Sequence, residues 1–139
     1  MMLCFFYVYA SGEDDIIRSG CEYDYPPFCI VDNDRADGFS VDLLEAAAKA
    51  MEKNVRFEVG TWNEIKGLLV KGEIDALPLV GRTPEREPFF DFTFPYLSLY
   101  GAIVVRKDNE DIHNLKDLQD RKVVVMKGDN AEEFLRRSE

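Results

Sequence analysis

The sequence predicts an α/β fold, because short apolar segments alternate with amphipathic ones along most of the chain. Residues 55–59 (VRFEV) alternate apolar and charged side chains, which is typical of a half-buried strand. Residues 40–53, which precede them, carry apolar side chains at helical spacing. Two strongly apolar segments, residues 99–106 and 122–126, are predicted as buried strands and continue the alternation.

A rigid loop follows the first predicted strand, residues 16–21. In residues 22–28 (EYDYPPF), the two prolines lack backbone N–H groups and have a fixed φ, which excludes a helix or a central strand. Loops that follow the strands of an α/β sheet are places where ligands bind. The aromatic side chains of this loop, Tyr25 and Phe28 among them, either wall a pocket or cover the core.

The middle of the chain contains two predicted helices. Ser40 is the expected N-cap of the first one. Thr61 and Glu64 have the spacing of a capping box that opens the second helix, and Gly72 is expected to end it. Residues 73–77 then begin the next predicted strand.

An octet, residues 79–86 (LVGRTPER), follows this strand and is the strongest local candidate for a binding site. Thr83 can cap a short helix, and Pro84 suits its first position. A helix N-terminus with free N–H groups, together with the guanidinium of Arg86, would bind a carboxylate. The alternative is a capped turn that carries a surface arginine.

The remaining residues offer a second site for an anion. Residues 89–96 are dense in aromatic side chains, which line a pocket or fill the core, and a short helix is predicted near residues 115–118. Residues 127–130 form a glycine turn at the start of a last helix, whose first turn contains Glu132 and Glu133. A strand, a turn and a helix N-terminus in succession favour an anion.

Composition and charge limit the class of function. The 139 residues suffice for a domain with a core, and 46% hydrophobic with 32% charged residues is typical of a globular protein. The formal net charge of −10 disfavours nucleic acid and anionic membranes as partners, because phosphates are bound by clustered lysine and arginine. A single local arginine can still bind a small anion.

Residues 1–15 are expected to be a signal or anchor remnant followed by a linker. Residues 2–10 are almost wholly apolar, but they are too short to span a bilayer and no basic residue precedes them. The alternatives are a first strand and an exposed apolar arm.

Cysteine and histidine usage indicates neither a metal site nor a cofactor. The three cysteines, Cys4, Cys21 and Cys29, have spacings that match no metal-binding pattern. Cys21 and Cys29 can form one disulfide in an oxidising compartment or remain thiols, and the sequence leaves both states open. The single histidine, His113, lies in a polar segment and is interpreted as a solvated loop residue.

Several ordered motifs resemble those of bacterial extracytoplasmic solute-binding proteins, family 3, the polar-amino-acid type. The motifs are YPPF (residues 25–28), GFxVDL (38–43), a tryptophan at residue 62 followed by GEID (72–75), TPER (83–86), DFTFPY (91–96) and DL…KVVVMKG (117–128). Each motif is weak alone, but the ordered set from about residue 16 to residue 134 is highly specific.

The resemblance implies a periplasmic-binding-protein type II fold, in which two α/β lobes joined by hinge strands close on a ligand. Lobe one is expected at residues 16–99, and the hinge strand with part of lobe two at residues 100–139. Members of the family are considerably longer, so the chain is expected to be truncated within lobe two. Pairing or exchange of residues 100–126 between two copies would then give a homodimer.

The resemblance also assigns ligand-binding residues. Tyr25 matches the aromatic residue that packs over the ligand, Ile65 an apolar position in the cleft, and Arg86 the arginine that pairs bidentately with the ligand's α-carboxylate. The other expected ligand-binding residues are Phe28, Trp62, Leu79, Gly81, Asp129 and Asn130. The last two match the start of the lobe-two helix, whose N–H groups complete the carboxylate site. No catalytic residue is expected.

One departure from the family concerns the ligand. Residues 78–81 (PLVG) stand where members usually have small hydroxylated residues, so side-chain contacts to an ammonium group are lost and backbone carbonyls remain. An apolar or non-amino-acid carboxylate therefore becomes an alternative ligand. With this segment the chain resembles the sensory branch of the family, whose domains precede histidine kinase or cyclic-di-nucleotide modules.

The expected function is that of a periplasmic or otherwise extracytoplasmic domain that binds a small carboxylate or an amino acid. The expected role is the input domain of a transmembrane sensor, anchored to the membrane in the full-length protein. One alternative is the binding component of an amino-acid ABC transporter, whose partner is a permease. Another is a cyclohexadienyl dehydratase-like enzyme with Glu22 or Asp24 as the acid or base. A third is that the chain alone binds no ligand.

Overall fold

A computed structural model describes residues 15–138 of the chain. The predicted signal or anchor remnant lies almost wholly outside the described residues, and so does Cys4. The chain divides into two compact units, with the boundary between Val80 and Gly81. The lobe boundaries expected from the resemblance stay predictions.

The first unit contains four successive strands and then alternates helix, strand and helix. These elements are β1 (Ile16–Glu22), β2 (Asp24–Tyr25), β3 (Cys29–Asp32), β4 (Arg35–Asp37), α1 (Phe39–Ala50), β5 (Asn54–Gly60) and α2 (Trp62–Lys71). β2 and β4 fall in segments that were predicted as a loop and a turn. The second unit contains a 3₁₀ helix (Leu115–Leu118) and α3 (Asn130–Ser138).

Two sheets make up the first unit. β1 and β5 pair in parallel, from Ile16 opposite Asn54 to Glu22 opposite Gly60. β2, β3 and β4 form a small antiparallel sheet in that order. Residues 73–77 were predicted to be a strand, but only Ala76 makes a ladder contact, as a parallel bridge to Ser19 on β1.

The helix ends follow the local sequence signals. In α2 the Thr61 hydroxyl accepts a hydrogen bond from the Glu64 N–H (3.4 Å), and the Glu64 carboxylate accepts one from the Thr61 N–H (2.8 Å). This confirms the predicted capping box, and Gly72 ends the helix in the left-handed conformation (φ 73°). α1 begins one residue earlier than expected, because Gly38 (φ 113°) and not Ser40 occupies the N-cap.

Close backbone approach decides how α2 packs. Ile65 is buried over Gly20 of β1 and Gly60 of β5. A Cβ atom at Gly20 would lie 2.9 Å from Cβ of Ile65 and 2.7 Å from Cδ2 of Leu77. Glycine at position 20 therefore sets the distance between α2 and the parallel strands.

The prediction of buried strands at residues 99–106 and 122–126 was wrong. The structure assigns neither segment to a strand, and Tyr100, Val104 and Val124 are 94%, 89% and 88% exposed. An apolar extended segment becomes a buried strand only when a second strand pairs with it and another layer covers it. Within residues 15–138 these segments have neither.

An ion pair joins β1 to the residues that follow α2. The Arg18 guanidinium donates to both carboxylate oxygens of Asp75, through Nε (3.0 Å) and Nη2 (2.6 Å), and the Arg18 backbone N–H donates as well (2.9 Å). The hydrogen bonds from Arg18 lower the pKa of Asp75. Asp75 of the GEID motif therefore attaches this segment to the sheet.

We predict that Asp75→Asn lowers the free energy of unfolding by about 1 kcal/mol at pH 7, since both side chains are about half exposed and solvent screens the pair. Because the pKa of Asp75 is lowered in the folded state, this contribution is present above about pH 4 and is lost as the pH falls through the lowered value. The stabilities of the two proteins should therefore converge in acid. Urea unfolding of both proteins at pH 7 and in acid measures the difference in stability.

The matched control is Glu58→Gln, which removes the carboxylate of the more exposed Arg56–Glu58 pair at 3.3 Å. It should change the stability less than Asp75→Asn does. An equal loss for Asp75→Asn at neutral and acidic pH would contradict a role of its charge.

Candidate functional site

The candidate site of the second unit is built around Arg86, of which only 4% is exposed. The carbonyl oxygen of Thr83 accepts hydrogen bonds from the N–H groups of Arg86 (3.0 Å) and Glu87 (3.1 Å), which makes one helical turn. The short helix predicted here does not form, because Pro88 has no N–H to continue the ladder. Residues 84–89 are turns instead.

Three acceptors hold the guanidinium, one from the same octet and two from the turn and helix more than 40 residues later. Nη1 of Arg86 donates to the carbonyl oxygen of Gly81 (3.2 Å), and Nη2 donates to that of Gly128 (3.3 Å). Nε donates to Oε1 of Glu133 at 3.0 Å. Arg86 is therefore not the surface arginine of the alternative interpretation. It is a buried cation oriented by two backbone carbonyls and paired with one carboxylate.

Thr83 completes a two-point site for that carboxylate. Its hydroxyl donates to Oε2 of Glu133 at 2.7 Å, while Arg86 binds Oε1 of the same group. Thr83 is itself nearly buried. The sequence predicted Thr83 as a helix cap and Glu133 as a first-turn acid, so their shared role in binding was missed. Local spacing gives no signal for it, because the two residues are 50 positions apart.

The start of α3 brings further predicted residues to this site. A Cβ atom at Gly81 would lie 2.8 Å from Nδ2 of Asn130, so the absence of a side chain at Gly81 leaves room for the asparagine. Oδ1 of Asp129 accepts from the N–H of Asn130 at 2.7 Å. Gly81, Arg86, Asp129 and Asn130 are thus brought together in one unit.

Side chains of α3 itself satisfy some of the N–H groups at its start. The Glu132 carboxylate accepts a hydrogen bond from the Gly128 N–H at 2.6 Å, and this bond, with a second from Arg136, lowers the pKa of Glu132. The predicted anion site at the helix N-terminus therefore contains carboxylates of the protein.

The other predicted site residues belong to the first unit. The rings of Tyr25 and Phe28 lie 5.6 Å apart between centroids, and Tyr25 is partly exposed on its loop. Trp62 and Ile65 are buried on α2, and Leu79 is half-buried near the end of the unit. Tyr25 and Phe28 therefore form an aromatic pair, whereas Trp62 and Ile65 pack in the core.

The described residues provide little for metal chemistry. Between residues 15 and 138, no group of three or more histidine, cysteine, aspartate or glutamate side chains is arranged to hold a metal ion.

Over the same residues, no helix combines the length and apolarity needed to cross a membrane.

Residues 17–137 match the family model of bacterial extracellular solute-binding proteins, family 3. The chain belongs to this family.

Two curated relatives support the same assignment. The probable amino-acid-binding protein YxeM of Bacillus subtilis (strain 168) is 32% identical over 123 residues, which cover 87% of this chain and 47% of the relative. The putative amino-acid ABC transporter-binding protein PatH of Vibrio harveyi is 31% identical over 121 residues, 86% of this chain and 49% of the relative. The chain spans about half the length of the curated relatives it matches.

A solved structure confirms the fold class. The sensor domain of a histidine kinase with similarity to periplasmic binding proteins aligns with a TM-score of 0.83 at 33% identity, over 90% of this chain and 56% of that one. The predicted periplasmic-binding-protein type II fold is therefore confirmed, and so is the resemblance from which it was predicted.

We predict that Glu133→Ala lowers the free energy of unfolding by about 3 kcal/mol, because it leaves the buried Arg86 guanidinium without its carboxylate. Glu133→Gln should lose less, since the amide oxygen still accepts from Nε. Urea denaturation followed by circular dichroism measures both losses.

The control for this prediction is Glu85→Ala. Glu85 binds Arg137 of α3 at 2.6 and 2.7 Å, but both side chains are more than one-third exposed. A surface ion pair contributes little to stability, so the free energy of unfolding of this variant should remain close to that of the wild type. A loss at Glu85 as large as that at Glu133 would show that burial of Arg86 does not decide the cost.

Proposed function

We propose that the chain is part of an extracytoplasmic domain that binds a small carboxylate or an amino acid. The observation that carries the proposal is that Arg86 and Thr83 together hold both oxygens of one carboxylate, that of Glu133. The carbonyls of Gly81 and Gly128 fix the direction of the guanidinium before any ligand arrives. Such preorganised, charge-assisted donors suit a ligand carboxylate.

Binding would proceed by exchange of one carboxylate for another. A ligand carboxylate that takes the donors of Arg86 and Thr83 must displace Glu133. The ligand-binding residues predicted in the first unit stay predictions; they are Tyr25, Phe28, Trp62, Ile65 and Leu79.

The proposed role is that of a sensor input domain. Support comes from residues 78–81 (PLVG), which lack the small hydroxylated side chains usual in amino-acid binders, and from the likeness to a kinase sensor domain. The likeness to PatH favours a transport receptor as the second candidate. A kinase or cyclic-di-nucleotide module encoded in the same reading frame would support the sensor, and an adjacent permease gene the receptor. Either role implies an extracytoplasmic location, with membrane anchoring part of the sensor proposal.

The proposal is for binding without catalysis. Loss of prephenate or arogenate on incubation with the protein would instead support the dehydratase-like alternative, for which Glu22 and Asp24 are the candidate acid–base residues. Unchanged substrate over a long incubation supports the binding role.

We predict that Arg86→Ala weakens ligand binding about tenfold, or by about 1.4 kcal/mol, because the ligand carboxylate loses its charged partner but no longer has to displace Glu133 from it. Titration calorimetry of the full chain against a panel of amino acids and organic acids identifies the ligand and measures the loss. Glu133→Gln should bind the same ligand more tightly, because its neutral amide competes less for Arg86.

The matched control is Arg82→Ala, which removes an exposed arginine four residues away that pairs with Glu87 at 2.7 Å. Circular dichroism confirms that each variant is folded. Equal affinities for Arg86→Ala and Arg82→Ala would remove Arg86 from the binding site. A panel in which nothing binds the wild-type chain would contradict the proposed function.

Residues 100–126 are proposed to pair between two copies of the chain. Their exposed β-branched and aromatic side chains, among them Tyr100, Val104 and Val124, are typical of an edge that recruits another strand. Sedimentation velocity at micromolar concentration should show a dimer, and Val104→Lys should shift it to a monomer. The control is Val70→Lys on α2, an exposed valine outside the segment. A wild-type monomer would contradict the pairing.

A further inference from the structure

Two cysteines outside the Arg86 site lie together in the core of the first unit. Cys21 on β1 is 0% exposed and Cys29, the first residue of β3, is 4% exposed. With Val41 they form one buried cluster, against which Ala36 and Phe57 pack. Both are free thiols in this structure.

The two sulfur atoms meet across the strands. Sγ of Cys21 lies 3.7 Å from the carbonyl oxygen of Ile30, the residue directly after Cys29. The two thiols are also hydrogen-bonded to each other. The two thiols are therefore neighbours in one buried cluster, as a disulfide between them requires.

We propose that Cys21 and Cys29 form a structural disulfide, which closes the loop that carries Tyr25 and Phe28. Two S–H bonds break and one S–S bond forms, and two protons and two electrons leave. The electrons pass to a disulfide oxidant, either a thiol–disulfide oxidoreductase or a low-molecular-weight disulfide, which is reduced to two thiols. The proposal rests on the proposed extracytoplasmic function only for the presence of such an oxidant in the cell.

The local chemistry distinguishes the two thiols. The hydrogen bond from Cys21 lowers the pKa of Cys29, while the same bond and burial raise the pKa of Cys21. These shifts belong to the folded protein; during folding either thiol attacks the oxidant, and the other then resolves the mixed disulfide. Because both groups are buried in the folded protein, the reaction takes place while the core is still open.

The consequence concerns residues 22–28. Both ends of this loop are already fixed by pairing, since Cys21 lies opposite Val59 and Cys29 opposite Tyr25. A bond between the two cysteines restricts the unfolded chain and holds the ends of the aromatic loop together. The loop that carries the Tyr25–Phe28 ring pair would then be held by a covalent bond in addition to strand pairing.

The test is oxidative refolding of the full chain with oxidised glutathione, in a Cys4→Ser variant and in the wild type. Trypsin leaves Cys21 and Cys29 on one peptide, because no lysine or arginine lies between them. Cleavage after Glu22 separates the two cysteines only when they are not bonded. Mass spectrometry should therefore find them linked in both proteins, with the intact mass of the variant lower by two hydrogens.

Stability gives a second measurement. By the chain-entropy relation for so short a loop, Tm of the oxidised Cys4→Ser protein should exceed that of its reduced form by about 10 °C. The matched control is Cys29→Ala in the same background, whose Tm should not respond to reduction. This comparison does not require any core variant to be as stable as the wild type.

Three results would overturn the proposal. They are two remaining thiols in the Cys4→Ser variant after oxidative refolding, a wild-type disulfide that includes Cys4, and a Tm that is unchanged by reduction. Each of these leaves the ligand titration of Arg86 untouched, and failure of that titration leaves the disulfide mapping untouched. The two proposals therefore fail separately.

Discussion

The burial of the Arg86 guanidinium is the constraint on which the second unit depends. A buried cation is tolerated only when it is paired and its N–H groups have acceptors. Gly81, Gly128 and Glu133 supply these acceptors, and they come from parts of the chain that are separated by more than 40 residues. The residues around the octet and the turn before α3 are therefore held together by one side chain. Apolar packing contributes less there, because no residue of α3 is buried.

The first unit is organised by a different constraint, the short distance between α2 and the backbone of strands β1 and β5. Gly20 and Gly60 let Ile65 approach β1 and β5, and a Cβ atom at either position would meet its side chain at 3.3 Å or less. Asp75 then attaches the chain after α2 to β1 through Arg18. Packing and the local signals of the sequence agree for α2 and the paired strands β1 and β5, which is why these elements could be predicted closely.

Features that depend on a few neighbouring residues were predicted correctly from the sequence. The capping box of Thr61 and Glu64 and the glycine end of α2 need only local geometry, and both are as expected. The apolar pattern of residues 122–126 is equally clear, yet Val124 is exposed, because a strand is defined by its pairing partner and not by its own side chains. The hydrogen bond between Thr83 and Glu133 was not predicted for a similar reason, since hydrogen bonds between distant segments leave no periodicity in the sequence. Arg86 itself was singled out by its place in the octet, residues 79–86, and the family motif then assigned it the ligand's α-carboxylate.

The internal carboxylate also limits what a ligand can gain at the site proposed around Arg86. In the unliganded protein Glu133 already receives the donors of Arg86 and Thr83, so a ligand carboxylate that replaces it exchanges similar interactions and gains little from the charge alone. The released Glu133 regains hydration, which offsets part of the desolvation cost of the incoming carboxylate. Net affinity must therefore come from the rest of the ligand, through apolar surface or further hydrogen bonds. A site of this kind discriminates against formate or acetate and favours a carboxylate with a substantial side chain, because only the additional groups distinguish the ligand from the glutamate that it displaces.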